Sequence, residues 1–176
     1  MTSTSLSSTM MTHEVFKGLC ESLGRAGFLS RYPNPFLLLT HRTESSDMQG
    51  FGFHTAVTPI SGAALGATGP AFIAPIAKRD VNKFATMITV GRAINNDLRL
   101  DLPSISKFHA YFMTVSHSGV WYLLDANSSN GTFVNGVRLT TDRNRVVVNS
   151  GDKIRFGADV DAVFFDPAAI YDLIRP

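Results

Sequence analysis

From residue 70 onward the chain is a succession of short runs of β-branched and aromatic residues, broken by turn clusters about every ten residues. Runs this short leave little room for a helix, but each is long enough for one strand. Strands are expected at Ala71–Ala77, Ala85–Val90, Asp97–Asp101, Ala110–Ser116, Val120–Asp125, Gly131–Val134, Val146–Val148, Lys153–Phe156 and Ala162–Phe165. So many short strands imply two packed antiparallel sheets with their loops gathered at the ends. The fold class expected is all-β, a two-sheet antiparallel β-sandwich, with a short N-terminal helical extension. Trp121, Tyr122 and Phe112 fall inside strand patterns and are expected to be buried or half-buried packing.

The segment before residue 70 has a different texture. Residues 1–12 are dominated by Ser, Thr and Met without a structural period and read as a tail. From Glu14 to Leu29 the apolar residues Val15, Phe16, Leu19, Leu23 and Phe28 share one helical face, with Thr12 as N-cap and Arg31-Tyr32-Pro33 as the stop. Phe36–Thr40 reads as a short buried strand, and 43–69 as a Gly-, Ser- and Thr-rich connection with a strand near Phe53–Thr58. The expected organisation is therefore a tail at 1–12, an extension at 13–69, a β-domain at 70–166 and a helical turn at 167–176.

Charge and cysteine usage narrow the function classes. The formal net charge is +2, from 16 basic and 14 acidic residues, and no basic run follows a nucleic-acid backbone, so no nucleic-acid partner is expected. Cys20 is the single cysteine, which excludes an intrachain disulfide and a multi-cysteine metal site. The uncharged stretch Met48–Ala77 is broken by Pro59, Pro70, Pro75 and five glycines, so it is not read as a membrane span. The first twelve residues lack the basic start and apolar core of a secretory signal, and a cytoplasmic location is expected. The histidines at 13, 41, 54, 109 and 117 form no metal-ligand or nucleophile–base pattern, so neither an enzyme nor a cofactor is expected. Asp97 with Asp101, and Asp159 with Asp161, resemble carboxylate dyads but lack any accompanying motif, and they read as surface or loop-capping carboxylates.

Four polar clusters fall on turns between the expected strands: Gly91-Arg92, Ser106-Lys107-Phe108-His109, Ser128-Ser129-Asn130-Gly131-Thr132 and Asn135-Gly136. The sandwich would project all four from its loops. A guanidinium at Arg92 can engage two phosphate oxygens at once, and the hydroxyls of Ser106 and Ser129 with nearby backbone N–H groups can satisfy the others. Together they point to an anion site. On turn chemistry alone, Asn130-Gly131 and Asn135-Gly136 are sites of positive φ. His109 has no second ligand residue in range and reads as a hydrogen-bonded structural histidine.

The run from VGRAINNDLRL through SISKFHA and DANSSNGTFVNG to GDKIRFG resembles the forkhead-associated, or FHA, domain over roughly residues 70–166. The resemblance implies an eleven-stranded FHA/SMAD-like β-sandwich that binds phosphothreonine peptides without catalysis. It implies that Arg92 and Ser106 contact the phosphate directly, that Ser129 helps bind it, that Lys107 adds charge, and that Asn130 bonds the peptide backbone. His109 and Asn135 would tie the loops together, with Gly91, Gly131 and Gly136 in loop-structural roles. Ser104 departs from family members that carry Arg there to read an acidic residue after the phosphothreonine. The function so implied is a phosphothreonine-peptide-binding adaptor or regulator in Ser/Thr kinase signalling, with threonine-phosphorylated proteins, such as a Ser/Thr kinase or its substrate, as partners. The alternative is a phosphate-independent interaction scaffold in which the helix at Glu14–Leu29 makes a constitutive contact.

Overall fold

The computed structural model describes residues 10–41, 71–115, 119–140 and 145–174. The first helix, α1 (His13–Arg31), begins where Thr12 adopts extended backbone and its Oγ1 accepts from the N–H of Val15 at 3.3 Å. Its apolar stripe is narrower than expected, and α1 bends at Gly24 (φ 62°, ψ 169°). Phe16, Cys20 and Phe28 are buried, whereas Val15 and Leu23 face solvent.

Twelve strands among the described residues form two sheets. The seven-stranded sheet runs β1 (Met11–Thr12), β3 (Ala71–Pro75), β2 (Phe36–His41), β12 (Val160–Phe165), β11 (Lys153–Phe156), β8 (Thr132–Val134) and β9 (Val137–Arg138). The five-stranded sheet runs β10 (Val146–Val148), β7 (Trp121–Asp125), β6 (Ala110–Thr114), β4 (Ile88–Gly91) and β5 (Leu98–Arg99). The chain is thus a β-sandwich with an N-terminal helix. One pairing departs from the antiparallel expectation: β4 and β5 run parallel, with Val90 opposite Leu98.

The division expected at residue 70 does not follow the sheets. β2 lies between β3 and β12, hydrogen-bonded on both sides, with Phe36 opposite Pro75 and Phe165. Met11 and Thr12, expected within the tail, form β1 and pair with Ile73 and Phe72. The strand expected at Phe53–Thr58 and residues 1–9 of the expected tail lie outside the described residues.

The uninterrupted apolar run of β2 has a physical reason: both of its faces are covered. Leu37 and Leu39 point between the sheets into a core with Phe112, Leu123, Ile154, Phe156 and Phe164. Phe36 and Leu38 point the other way, into a second core closed by α1 and α2 (Pro167–Ile174). There Phe16 meets Phe28 and Phe36 edge-on at 5.5 and 5.4 Å between ring centres, a favoured aromatic geometry. Burial in this second core raises the thiol of Cys20 to about 11, with the Glu21 carboxylate adding to the effect. The helices therefore cover the outer face of the seven-stranded sheet and leave the loops at the sandwich end open. Among the described residues no helix is long and apolar enough to cross a membrane.

Candidate functional site

The loops around β4, β6 and β8 are stitched together by backbone before any side chain is considered. The N–H of Arg92 donates to Ser106 O at 2.9 Å, that of Ala93 to Lys107 O at 3.1 Å, and that of His109 to Val90 O at 2.9 Å. Gly91 is required by this closeness, since a Cβ there would lie 2.5 Å from Lys107 O and 2.9 Å from Asn96 Nδ2. Asn96, only 4% exposed, completes the join by donating its amide to Ala93 O (2.9 Å) and Lys107 O (2.7 Å). The Arg92 guanidinium is exposed, and its Nε donates to Ile105 O at 3.2 Å. One of its donors thus fixes the side chain, and its terminal Nη groups meet no acceptor among the described residues.

His109 is fully buried at the junction of two loops. The N–H of Ser106 donates to its Nδ1 at 3.1 Å, so Nδ1 carries the lone pair. Nε2 therefore carries the proton and donates to Gly131 O, also at 3.1 Å. Both ring nitrogens are used by the neutral tautomer. Burial lowers the pKa of this ring, against smaller opposing effects of the Gly131 carbonyl and the Asp125 carboxylate. One imidazole thereby sets the distance between the loop carrying Ser106 and the loop carrying Ser129 and Asn130.

Across that gap the polar groups converge. Ser129 N–H donates to Ser106 Oγ at 3.1 Å, and the two hydroxyl oxygens are 3.5 Å apart. The Asn130 amide donates to Ser104 O at 2.8 Å. Ser129, Asn130 and the Lys107 side chain are exposed, and Ser106 is half-buried. The loop that presents Ser129 is folded around Asp125, which accepts from Ser128 N–H (2.9 Å), Ser128 Oγ (2.6 Å) and Thr132 Oγ1 (2.6 Å). The arrangement brings one free guanidinium face, one lysine, two hydroxyls and an amide to one end of the sandwich. That set can surround an anion of several oxygens.

Asn135 and Gly136 sit farther along, in the two-residue turn between β8 and β9, at φ 50° and 82°. Two successive positive-φ residues are what the twist of a tight hairpin demands. Asn135 also bonds outward, from Nδ2 to Asp152 Oδ1 at 2.8 Å and from Lys153 N–H to its Oδ1 at 3.0 Å. It ties its own turn to the one before β11.

The remaining expectations divide. Asn130 was expected at positive φ, but Gly131 alone takes it (φ 81°), because the side chain of Asn130 must turn back to Ser104. At Gly131 a Cβ would lie 2.6 Å from Arg138 Nε. Ser104 presents its carbonyl to Asn130 while its hydroxyl is buried. Asp97 caps a loop, as expected, but is fully buried. It accepts from the N–H groups of Arg79 (2.7 Å) and Thr89 (2.8 Å), from the Lys78 ammonium (3.3 Å) and from the Asn82 amide. Asp101 faces solvent and pairs with Arg99. Asn96 escaped the reading of the sequence, although its place four residues after a strand-end Gly-Arg is the one signal that could have found it.

The family model for the FHA domain matches residues 88–157, from β4 to the turn after β11. This chain contains an FHA domain. The FHA match takes in every candidate residue described above. A vacuolar protein sorting-associated protein 64 of Saccharomyces cerevisiae is 42% identical over 60 residues, covering 34% of this chain and 10% of the relative. The human sarcolemmal membrane-associated protein is 35% identical over 82 residues, covering 42% of this chain and 10% of its own length. The likeness thus spans about a tenth of these relatives. Among solved structures, Mycobacterium tuberculosis EmbR in complex with a low-affinity phosphopeptide is 30% identical at a TM-score of 0.40, covering 47% of this chain and 20% of that one. The MEK1 FHA domain with the HOP1 pThr318 peptide is 29% identical at a TM-score of 0.43, covering 53% and 87%.

Proposed function

We propose that this chain binds threonine-phosphorylated proteins through Arg92, Ser106, Lys107, Ser129 and Asn130 and serves as an adaptor or regulator in Ser/Thr kinase signalling. The observation that carries this reading is the approach of Ser129 N–H to Ser106 Oγ beside an Arg92 whose Nη groups face no acceptor among the described residues. A phosphothreonine carries about −1.5 to −2 charge at neutral pH and three strong acceptor oxygens, which fit a guanidinium fork plus neutral donors. Lys107 adds a second positive charge without demanding a fixed geometry. Asn130, already anchored through Nδ2, keeps its Oδ1 for a peptide backbone N–H in an extended ligand. His109, Gly91 and Asn135 act behind these groups, holding the loops in register.

The test is calorimetry of the intact chain with matched phosphothreonine and unphosphorylated peptides. Binding is expected at a dissociation constant on the order of micromolar, because a short peptide offers few contacts and loses conformational freedom. Arg92→Ala should abolish it while leaving the melting temperature near that of the parent, since Arg92 is exposed. Equal binding of phosphorylated and unphosphorylated peptides would sink the reading.

A further inference from the structure

The two outer faces of the sandwich are treated differently by the chain. Its own helices cover the seven-stranded sheet, with Phe16, Phe28, Ile170 and Ile174 packed on Phe36, Leu38 and Ile73. Beside the five-stranded sheet, three aromatic rings are stacked, two of them exposed and Tyr111 half-buried. Phe84 lies 6.2 Å from Phe108 with planes 15° apart, and Phe108 lies 5.8 Å from Tyr111 with planes 25° apart. Phe84 is 55% exposed and Phe108 38%.

The stack is held from below, not by chance contact. The fully buried Asp97 accepts from the amide of Asn82, the same amide reaches Thr89 Oγ1 at 2.8 Å, and Asn82 Oδ1 accepts the N–H of Phe84 at 2.8 Å. A buried carboxylate with no role in the phosphate cluster thus fixes a loop whose tip keeps a phenylalanine in water. Phe108 is fixed from the other side, between Lys107, whose carbonyl takes two hydrogen bonds, and His109, which is locked at both nitrogens. Rigid aromatic groups bind at low entropic cost.

Ser106, Lys107 and Phe108 are consecutive, so the shelf begins two residues along the chain from the phosphate cluster. Two residues span at most about 7 Å, and an extended ligand advances about 3.3 Å per residue. A side chain within about four residues of the phosphothreonine therefore reaches the shelf. We infer that Phe84, Phe108 and Tyr111 form the second half of the ligand site, taking a large apolar side chain, aromatic or long aliphatic, from the segment that carries the phosphate. This rests on the phosphothreonine reading above and specifies its ligand.

The probe is an oriented peptide library with phosphothreonine fixed and four positions randomised on either side, followed by calorimetry on matched peptides with Phe or Ala at the selected position. The intact chain should select an apolar residue at one flanking position and prefer the Phe peptide by about five- to thirty-fold, the equivalent of burying part of one apolar side chain. Phe108→Ser and, independently, Phe84→Ser should each bring that ratio toward one. Phe84 is in an exposed loop tip, so its variant remains informative should Phe108→Ser fold poorly. Phosphothreonine-dependent binding without any flanking apolar preference would overturn the shelf and leave the phosphate reading standing. Binding that ignores the phosphate would overturn both. Concentration-dependent self-association of the intact chain, lost in both Ser variants, would assign the shelf to a second copy instead and likewise overturn the inference.

Discussion

Replacing His109 by alanine tests whether the binding loops are held by a latch or by the ligand. The substitution removes a fully buried ring and both of its hydrogen bonds. The two partners fare differently. Gly131 O keeps a second donor, the Gly157 N–H at 2.9 Å, whereas Ser106 N–H is left without its acceptor. An orphaned buried donor costs about 1–3 kcal/mol. The space beside Phe156, whose ring lies edge-on to the imidazole at 6.1 Å, adds about 1–2 kcal/mol. The total of about 2–5 kcal/mol corresponds to a fall in melting temperature of roughly 5–15 °C for a chain of this length. Thermal melts at pH 7.5, with phosphopeptide affinity measured well below both transitions, provide the assay. A variant that melts with the parent yet loses binding would show that His109 touches the ligand and that the latch is wrong. A pH series adds a signed check. The folded ring is held neutral, its pKa below the ordinary value of about 6.5, while the unfolded chain takes up the proton freely. The stabilisation from His109 is therefore complete above about pH 6.5 and is lost as pH falls from there toward the lowered folded pKa. Between pH 7.5 and 5, the parent should lose more stability than His109→Ala, and an equal loss in both would refute the burial argument.

Two other substitutions probe the scaffold around the site. Asn135→Gly keeps the positive φ but deletes the bonds to Asp152 and Lys153, and Asn135→Ala removes both advantages. Both should lower the melting temperature, with Ala the worse by about 1 kcal/mol, and equal melting of the two would show that φ carries no weight at this turn. Gly91→Ala forces a methyl against a backbone carbonyl, so it should cost about 1–3 kcal/mol and weaken phosphopeptide binding by displacing Ser106 and Lys107. Unchanged binding by calorimetry at low temperature would show that the loop absorbs the methyl elsewhere.

What the sequence discloses follows the range of the forces involved. Thr12 as an N-cap, Asn135-Gly136 as a tight turn and Phe36–Thr40 as a buried strand are all settled by neighbours within a few positions, and each is found in the structure. The FHA pattern likewise lies in local loop chemistry. Long-range placement was not legible. Nothing near Phe36–His41 reveals that its partner is β12. The α1 stripe was read as continuous because a helical periodicity passes over Gly24, where the chain bends. The burial of Asp97 is not legible locally, because its five donors come from residues 78–89, gathered only by the fold. The Asn130 side chain likewise chooses Ser104 O over a left-handed backbone, a competition decided by a loop 26 positions away.

The place of β2 also governs when the molecule can form. Thr40 and Asp161 are bonded across 121 positions of chain, so during synthesis β2 waits for a strand made that much later. Every residue of the phosphate cluster is translated before β12. On the ribosome those loops would exist on a five-stranded sheet whose companion still lacks its middle strand and displays the unpaired edge of β11. Such long-range closure is slow, and nascent chains of this protein would be at greatest risk of associating through that edge until residues 160–165 arrive.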